Sequence, residues 1–223
     1  LYRNFITVLG EAISNAWDAD AKNVWITIDK NTNSMIVKDD GIGMTDDDFQ
    51  NKFLKIGYSK RKNKSFNSPL GRPFIGRKGI GKLALLSCAR QIQIVIKCKN
   101  TKITGGLIDN GELDEAIKDD INANEYILKP LSQEAITAFG NQQNGTLIYF
   151  NNITEEIHNT IDYIKKAIAL YFRLSIIDKD FKIYVNNDLI NEKELEDLAQ
   201  STQFVWILNG YSDNYLNAQS SIK

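Results

Sequence analysis

The stretch Met35-Ile36-Val37-Lys38-Asp39-Asp40-Gly41-Ile42-Gly43-Met44 runs from a strand-like segment straight into an acidic pair and two glycines two apart. Met35–Lys38 reads as a strand, and Val24–Ile28 just before it as another. The intervening residues 29–34, Asp-Lys-Asn-Thr-Asn-Ser, are rich in turn formers. Beyond the second strand, Gly41 and Gly43 let the backbone approach a flat ligand where a Cβ would obstruct it. An aspartate just ahead of them can accept a hydrogen bond from an exocyclic amine such as that of adenine. Read alone, the same residues also suit a tight turn after a strand.

Upstream, residues 2–18 read as an amphipathic helix. Phe5, Leu9, Ile13 and Ala16 recur at three- and four-residue spacing and face a core. Glu11, Asn15 and Asp18 fall at i, i+4 and i+7 and share another face. An amide oxygen there can ligate Mg²⁺, a hard cation that accepts substrate phosphates as further ligands. A carboxylate one turn away can take a proton from water attacking a γ-phosphate. A plain solvated helix face gives the same pattern.

Downstream, Thr45–Phe53 reads as a short helix with Thr45 as N-cap. Residues 57–80 hold six glycines or prolines and little periodicity, which predicts a long, mobile loop. The run Gly76-Arg77-Lys78-Gly79-Ile80-Gly81-Lys82 opens a helix expected over Ile80 to Ala89. Glycine-rich backbone at a helix N-terminus presents N–H groups and a positive dipole end to phosphate. The run is not a P-loop: Leu83 stands where that motif needs a hydroxyl, and 69–75 reads as loop rather than buried strand. From Lys52 to Lys82 there are ten Lys or Arg residues and no Asp or Glu. Such a run suits a phosphate-attracting lid, a nucleic-acid contact or a solvated basic loop. Strands are expected over Gln91–Lys99, Ile103–Asp109, Tyr126–Leu128, Thr146–Phe150 and Phe181–Asn186. Helices are expected over Glu155–Leu174 and Glu192–Gln200. Helices and strands mix without regular alternation, so the class is α+β.

The length of 223 residues implies one domain, or one plus the start of a second. No apolar run approaches the roughly 18 to 20 residues of a membrane helix, and no signal-peptide pattern is present. Leu1 already sits inside a helical pattern, as in a piece of a longer protein. Cys88 and Cys98 form no disulfide framework; both lie in apolar surroundings and read as buried structural thiols of a cytoplasmic protein. A net charge of −1 argues against a chain that binds nucleic acid over its whole surface. His158 has no phosphoacceptor motif around it and reads as a surface or capping residue.

Four elements occur in a telling order: E-x-x-x-N-x-x-D-A at 11–19, D-x-G-x-G-M at 39–44, G-x-x-G-x-G at 76–81, and Gly145-Thr146 ahead of a strand. Together they resemble the nucleotide-binding boxes of the gyrase–heat-shock-chaperone–histidine-kinase–MutL (GHKL) superfamily, over about residues 1–190. The resemblance implies a Bergerat-fold two-layer sandwich, a mixed, mainly antiparallel sheet with helices on one face. It implies ATP and Mg²⁺ as cofactors. By position it makes Glu11 the general base, Asn15 the Mg²⁺ ligand and Asp39 the adenine reader. Gly41, Gly43 and Met44 would line the base pocket. Lys78, Gly79, Ile80, Gly81 and Lys82 would offer backbone N–H groups to the phosphates, and Thr146 would join the network around adenine. Asp18 matches the first box and either touches nucleotide or holds the helix in place. Residues 57–80 would be the ATP lid, and 191–223 either complete the domain or begin the next. Glu11 and the Asp18-Ala19 pair resemble the hydrolysing branches, MORC and MutL among them, more than the kinases. Those branches imply a homodimer and weak hydrolysis by this chain alone. An ATP sensor without turnover, or a nucleic-acid-associated ATPase using the basic lid, are the alternatives.

Overall fold

The computed structural model describes residues 5–54, 67–75, 85–118, 128–154, 157–173 and 178–196. Helix α1 (Phe5–Asp18) leads into β1 (Asn23–Asp29) and β2 (Ser34–Asp39). A short helix α2 (Asp46–Asp48) passes into a wider π turn at Phe49–Phe53. Then come β3 (Ala89–Lys97), β4 (Thr104–Asp109), α3 (Asn110–Lys118), α4 (Gln133–Phe139), β5 (Gly145–Ile153), α5 (Ile161–Tyr171), β6 (Lys182–Val185) and β7 (Asp188–Leu189).

The seven strands form one sheet in the order β4-β3-β5-β2-β1-β6-β7. Every neighbouring pair is antiparallel except β1 and β6. The order places β2, which ends at Asp39, in the middle of the sheet between β1 and β5. Strand alternation then sorts the side chains. Val24, Ile26, Val37, Ile94 and Phe150 point to one face, where Leu9, Ile13 and Ala16 of α1 and Ile164 and Ile168 of α5 bury them. On the other face Val95 and Leu147 meet Ala135 and Phe139 of the short α4. The two long helices thus cover one face, and α4 covers a smaller patch of the other. The sandwich expected from the four sequence elements is the fold observed. Among the described residues no helix is long and apolar enough to cross a membrane.

Several boundaries differ from the sequence reading. The expected 80–89 helix yields to strand earlier: Leu85–Ser87 is helical and Ala89 already opens β3. The Asn110 side chain explains the stop, donating to both Leu86 O (2.8 Å) and Ala89 O (2.7 Å). The helix expected over 155–174 begins only at Ile161, because the Thr160 hydroxyl caps Tyr163 N at 3.1 Å. The 192–200 helix opens as a 3₁₀ turn at Glu192–Leu195, Glu196 is α-helical, and 197–200 lie outside the described residues. For the 126–128 strand, Lys129 forms an isolated bridge to Leu107, and 126–127 lie outside the described residues. Thr45 does cap its helix, accepting from Asp48 N. Cys88 is buried as expected, but Cys98 is half-exposed beside the β3–β4 turn.

The middle of the expected long loop is not loose. Asn67 and Pro73 form an antiparallel bridge that closes a tight turn. Its sequence, Asn-Ser-Pro-Leu-Gly-Arg-Pro, is turn chemistry, but its placement comes from α1. Asp20, in the left-handed conformation just past that helix (φ 57°), accepts from the Ser68 hydroxyl and from Leu70 N (3.1 Å). Trp17 Nε1 donates to Pro73 O at 3.0 Å, and Ile75 N donates to Asp18 Oδ1 at 2.9 Å. Arg72 reaches under the turn, donating to Ala21 O (2.5 Å) and Asp180 O (2.9 Å). Its guanidinium lies over the rings of Trp17 (4.7 Å) and Phe181 (5.4 Å). Arg72 is buried. It therefore belongs to the core of this junction and not to a solvent-facing basic surface.

Candidate functional site

Asp39 is the last residue of β2, and its ladder partner on β5 is Thr146. Each is only 9% exposed. Asp39 Oδ1 accepts from Gly41 N at 2.8 Å. Burial pushes the Asp39 carboxyl up to about 7; hydrogen bonds from Gly41 and Thr146 oppose the shift, and the neighbouring Asp40 charge adds to it. A central, buried acid with so high a value is the kind of group that functional sites hold.

Asp40 is spent elsewhere. Its Oδ1 accepts from Lys22 N (2.7 Å) and Asn23 N (2.8 Å), and its Oδ2 from Asn23 Nδ2 (2.7 Å). It caps the start of β1. Two adjacent carboxylates thus have separate tasks, as the D-x-G-x-G spacing implies.

The glycines after Asp39 are required by close approach. Gly43 has φ 71°, and a Cβ there would lie 1.9 Å from Lys97 O. Gly145, facing the turn from β5, has φ 134°, and its Cβ would lie 2.1 Å from Asp39 O. Ile42 N donates to Ala19 O at 2.8 Å, which fastens the turn to the end of α1. Ile42 is left half-exposed, while Met44 packs on the core.

On α1, Glu11 and Asn15 are half-buried one turn apart, and among the described residues neither side chain has a hydrogen-bond partner. Burial first, and the Asp18 charge second, hold the Glu11 carboxyl above its ordinary value. Asp18 itself is buried and bonded to Ile75 N. It therefore joins α1 to the residue just before the Gly76 box, a task the sequence left open. Lys78, Gly79, Ile80, Gly81 and Lys82 lie outside the described residues.

The structure therefore brings Asp39, Gly41 and Gly43 into one turn beside Thr146 of β5, with the end of α1 against it. It also adds residues that the motifs do not include. Gln142 and Asn144 direct their side-chain amides at the backbone of that turn. Their sequence signal, Gln-x-Asn-Gly-Thr at 142–146, reads only as an ordinary Asn-Gly turn. His158 is exposed, as expected of a surface residue.

Residues 2–146 match the family described as histidine kinase-, DNA gyrase B-, and HSP90-like ATPase. The chain belongs to that family. Membership of this ATPase family implies ATP binding. A curated relative, "Putative type II restriction enzyme HgiDII" of Herpetosiphon aurantiacus, is 34% identical over all 223 residues of this ATPase-family chain. The chain spans 35% of that relative's length. Among solved structures, the ATPase region of Saccharomyces cerevisiae topoisomerase II bound to ICRF-187 (dexrazoxane) superposes with a TM-score of 0.60. That likeness, at 15% identity, covers 92% of this chain and 56% of the other, and it shows the ATPase fold.

Proposed function

We propose that this domain binds ATP with its base against Asp39 and hydrolyses it slowly, as the nucleotide-driven module of a longer protein. The observation that carries the reading is the buried Asp39 carboxylate, set beside glycines that no Cβ could replace. The Asp39 carboxyl accepts from Gly41 N and from Thr146, and the two oxygens of a carboxylate leave acceptor capacity for a further donor. The 6-amino group of adenine is such a donor, whereas guanine carries an acceptor, its 6-oxo group, at that position. Thr146 sits in register to share the same network.

Glu11 is the proposed general base. Burial and the Asp18 charge hold its carboxyl above the ordinary value, which makes it a stronger base toward an attacking water. Asn15, one turn on, is the proposed Mg²⁺ ligand. Its amide has no protein partner among the described residues, and its oxygen is of the hard type that Mg²⁺ selects. When bound, Mg²⁺ would neutralise phosphate charge. Asp18 then acts as a positioning residue for the Gly76 box through Ile75. Residues 78–82 are proposed to hold the phosphates by backbone N–H groups.

Glu11 favours the hydrolysing, MORC- or MutL-like branch over a pure ATP sensor, which needs no base. A homodimer, a cytoplasmic setting and residues 191–223 as completion of the domain or start of a following one remain part of the same proposal. A second reading concerns the target. The name of the curated relative and the nine Lys or Arg residues over 52–82 other than the buried Arg72 favour a DNA-directed protein, with the basic segment meeting backbone phosphate.

Titration of ATP into the full chain with Mg²⁺, followed by single-turnover phosphate release, tests the primary reading. Saturable ATP binding with slow release that Glu11→Ala abolishes is expected. Release unchanged in Glu11→Ala would contradict the role of Glu11. For the second reading, DNA affinity that falls steeply with salt is expected, and no binding at low salt would remove it.

A further inference from the structure

We propose that the side-chain amides of Gln142 and Asn144 are positioning residues that hold the peptide planes following Asp39, and through them set the preference of the site for adenine. This deepens the reading of Asp39 as the adenine acceptor and rests on it.

The sheet ladder of β2 ends at Asp39. Past that point the chain must turn, and its carbonyls lose their regular partners although they are shielded from water. Such groups need donors from somewhere else. Two side chains supply them. Gln142 Nε2 donates to Asp39 O (2.9 Å) and to Asn144 O (3.2 Å). Asn144 Nδ2 donates to Asp40 O (3.0 Å) and to Gly41 O (2.5 Å). Three consecutive carbonyls are thus each held by an amide from the residues just ahead of Thr146. The loop that carries the amides is itself anchored, because Lys97 Nζ donates to Gln142 O at 2.8 Å.

The mechanical consequence follows from the planarity of the peptide bond. The carbonyl of Asp40 and the N–H of Gly41 belong to one plane and point in opposite directions. Asn144 grips the carbonyl end, so the N–H end is aimed at Asp39 Oδ1, 2.8 Å away. Rotation of that plane would remove the hydrogen bond that orients the Asp39 carboxylate. Neither amide needs to touch nucleotide to exert this control. Among the described residues Gln142 Oε1 is buried with no hydrogen-bond partner, and this carboxamide serves the turn through its NH₂ group.

The test compares ATP with inosine triphosphate, which lacks the exocyclic amine, on the full chain. The variants are Asn144→Asp, nearly isosteric but without the NH₂ donor, and Gln142→Ala. The wild type should prefer ATP. Asn144→Asp should weaken ATP about tenfold, in line with the loss of two backbone-holding hydrogen bonds, and leave inosine triphosphate within about twofold. Gln142→Ala should act in the same direction by a smaller factor. An equal loss for both nucleotides, or an unchanged preference, would overturn the proposal. Hydrogen exchange provides a readout without nucleotide. The amides of 41–44 should exchange faster in Asn144→Asp while those of α1 keep their protection. Unchanged exchange would sink the clamp itself. A wild type that does not distinguish the two nucleotides would instead defeat the Asp39 reading, and with it the assigned preference, whatever the exchange data show. Should Asn144→Asp not fold, Asn144→Ala with the same two readouts decides.

Discussion

The two acidic centres of the candidate site are built to different standards. Around Asp39 nearly every neighbouring group is fixed: Gly41 N–H on its carboxylate, Thr146 across the ladder, two amides on the following carbonyls, and backbone pressed against Gly43 and Gly145. Around Glu11 the helix holds the side chain in place, yet no hydrogen bond among the described residues orients it or Asn15. On the proposed assignment, the difference teaches that the base-reading half is complete before ligand arrives, whereas the phosphate-facing half would take its partners from the ligand. Rigid groups discriminate, and uncommitted groups remain available for ions, water and charge that develops during reaction.

Mutation at each centre should therefore fail differently. The largest effect is expected at Glu11. Glu11→Ala should lower single-turnover hydrolysis by about 10²- to 10⁴-fold while ATP affinity stays nearly intact. A matching fall in affinity would make Glu11 a binding residue and erase the contrast.

Next comes the junction under α1. Arg72→Met removes the donors to Ala21 O, on a buried residue, and to Asp180 O, on an exposed one. A stability loss of about 2–4 kcal/mol is expected from denaturant midpoints. ATP affinity should change little in the folded variant, because Arg72 reaches the Asp39 turn only through the end of α1, and that turn keeps its own hydrogen bonds from Gln142 and Asn144. A folded Arg72→Met that lost ATP binding would show that the two regions are coupled.

Two glycines sharpen the same point. Gly43 and Gly71 both have positive φ, but a Cβ on Gly43 meets Lys97 O while nothing lies within 4 Å of one on Gly71. Gly71→Ala should lose only the left-handed backbone cost of about 1–2 kcal/mol. Gly43→Ala should lose that and, because backbone must shift, most of its ATP affinity as well. Equal behaviour of the pair would mean the turn at Gly43 is more pliable than its contacts imply.

The smallest expected effect is with pH. Asp39 has its carboxyl raised to about 7 in the nucleotide-free protein. In the unfolded chain the group titrates near its ordinary value of about 3.9. The folded state therefore binds this proton more tightly. The stability it contributes is fully present below the unfolded value and is lost as pH rises through about 7. Nucleotide affinity should run the other way, because the exocyclic amine bonds best to the ionised carboxylate. From pH 8 to pH 6 ATP affinity should fall about tenfold, and Asp39→Asn should flatten the profile. A flat wild-type profile would place the titrating group elsewhere.

Legibility in the sequence follows the range of the interactions. Strands β1 and β2, the Asp39–Met44 box and the Gly145-Thr146 pair are local patterns, and they lie where their periodicity and glycines place them. Asp39 could be separated from Asp40 by counting back from the glycines, and the hydrogen bonds of Asp40 to Lys22 and Asn23 supply the structural reason. The turn at 67–75 reads as loop because its partners, Trp17, Asp18, Asp20 and Asp180, are about fifty or a hundred residues away. Arg72 looks like one more charge in a basic run until Trp17 and Phe181 are seen to enclose it. Helix α4, seven residues long, offers little periodicity. Its one local sign is the Ser132 cap on Ala135 N, and its anchor, Ser132 N on the buried Gln93 Oε1, is again remote. Gln142 and Asn144 show no pattern at all, since a side-chain amide in a loop declares nothing about which carbonyl it will hold.

The central claim is that Asp39 reads adenine, and calorimetric titration of ATP with Mg²⁺ into the wild-type chain and Asp39→Asn at pH 8 tests it most directly. Saturable binding by the wild type, weakened about 10- to 100-fold in the variant by loss of a charge-assisted hydrogen bond, is the predicted result. Equal affinity of the two proteins for ATP would contradict it.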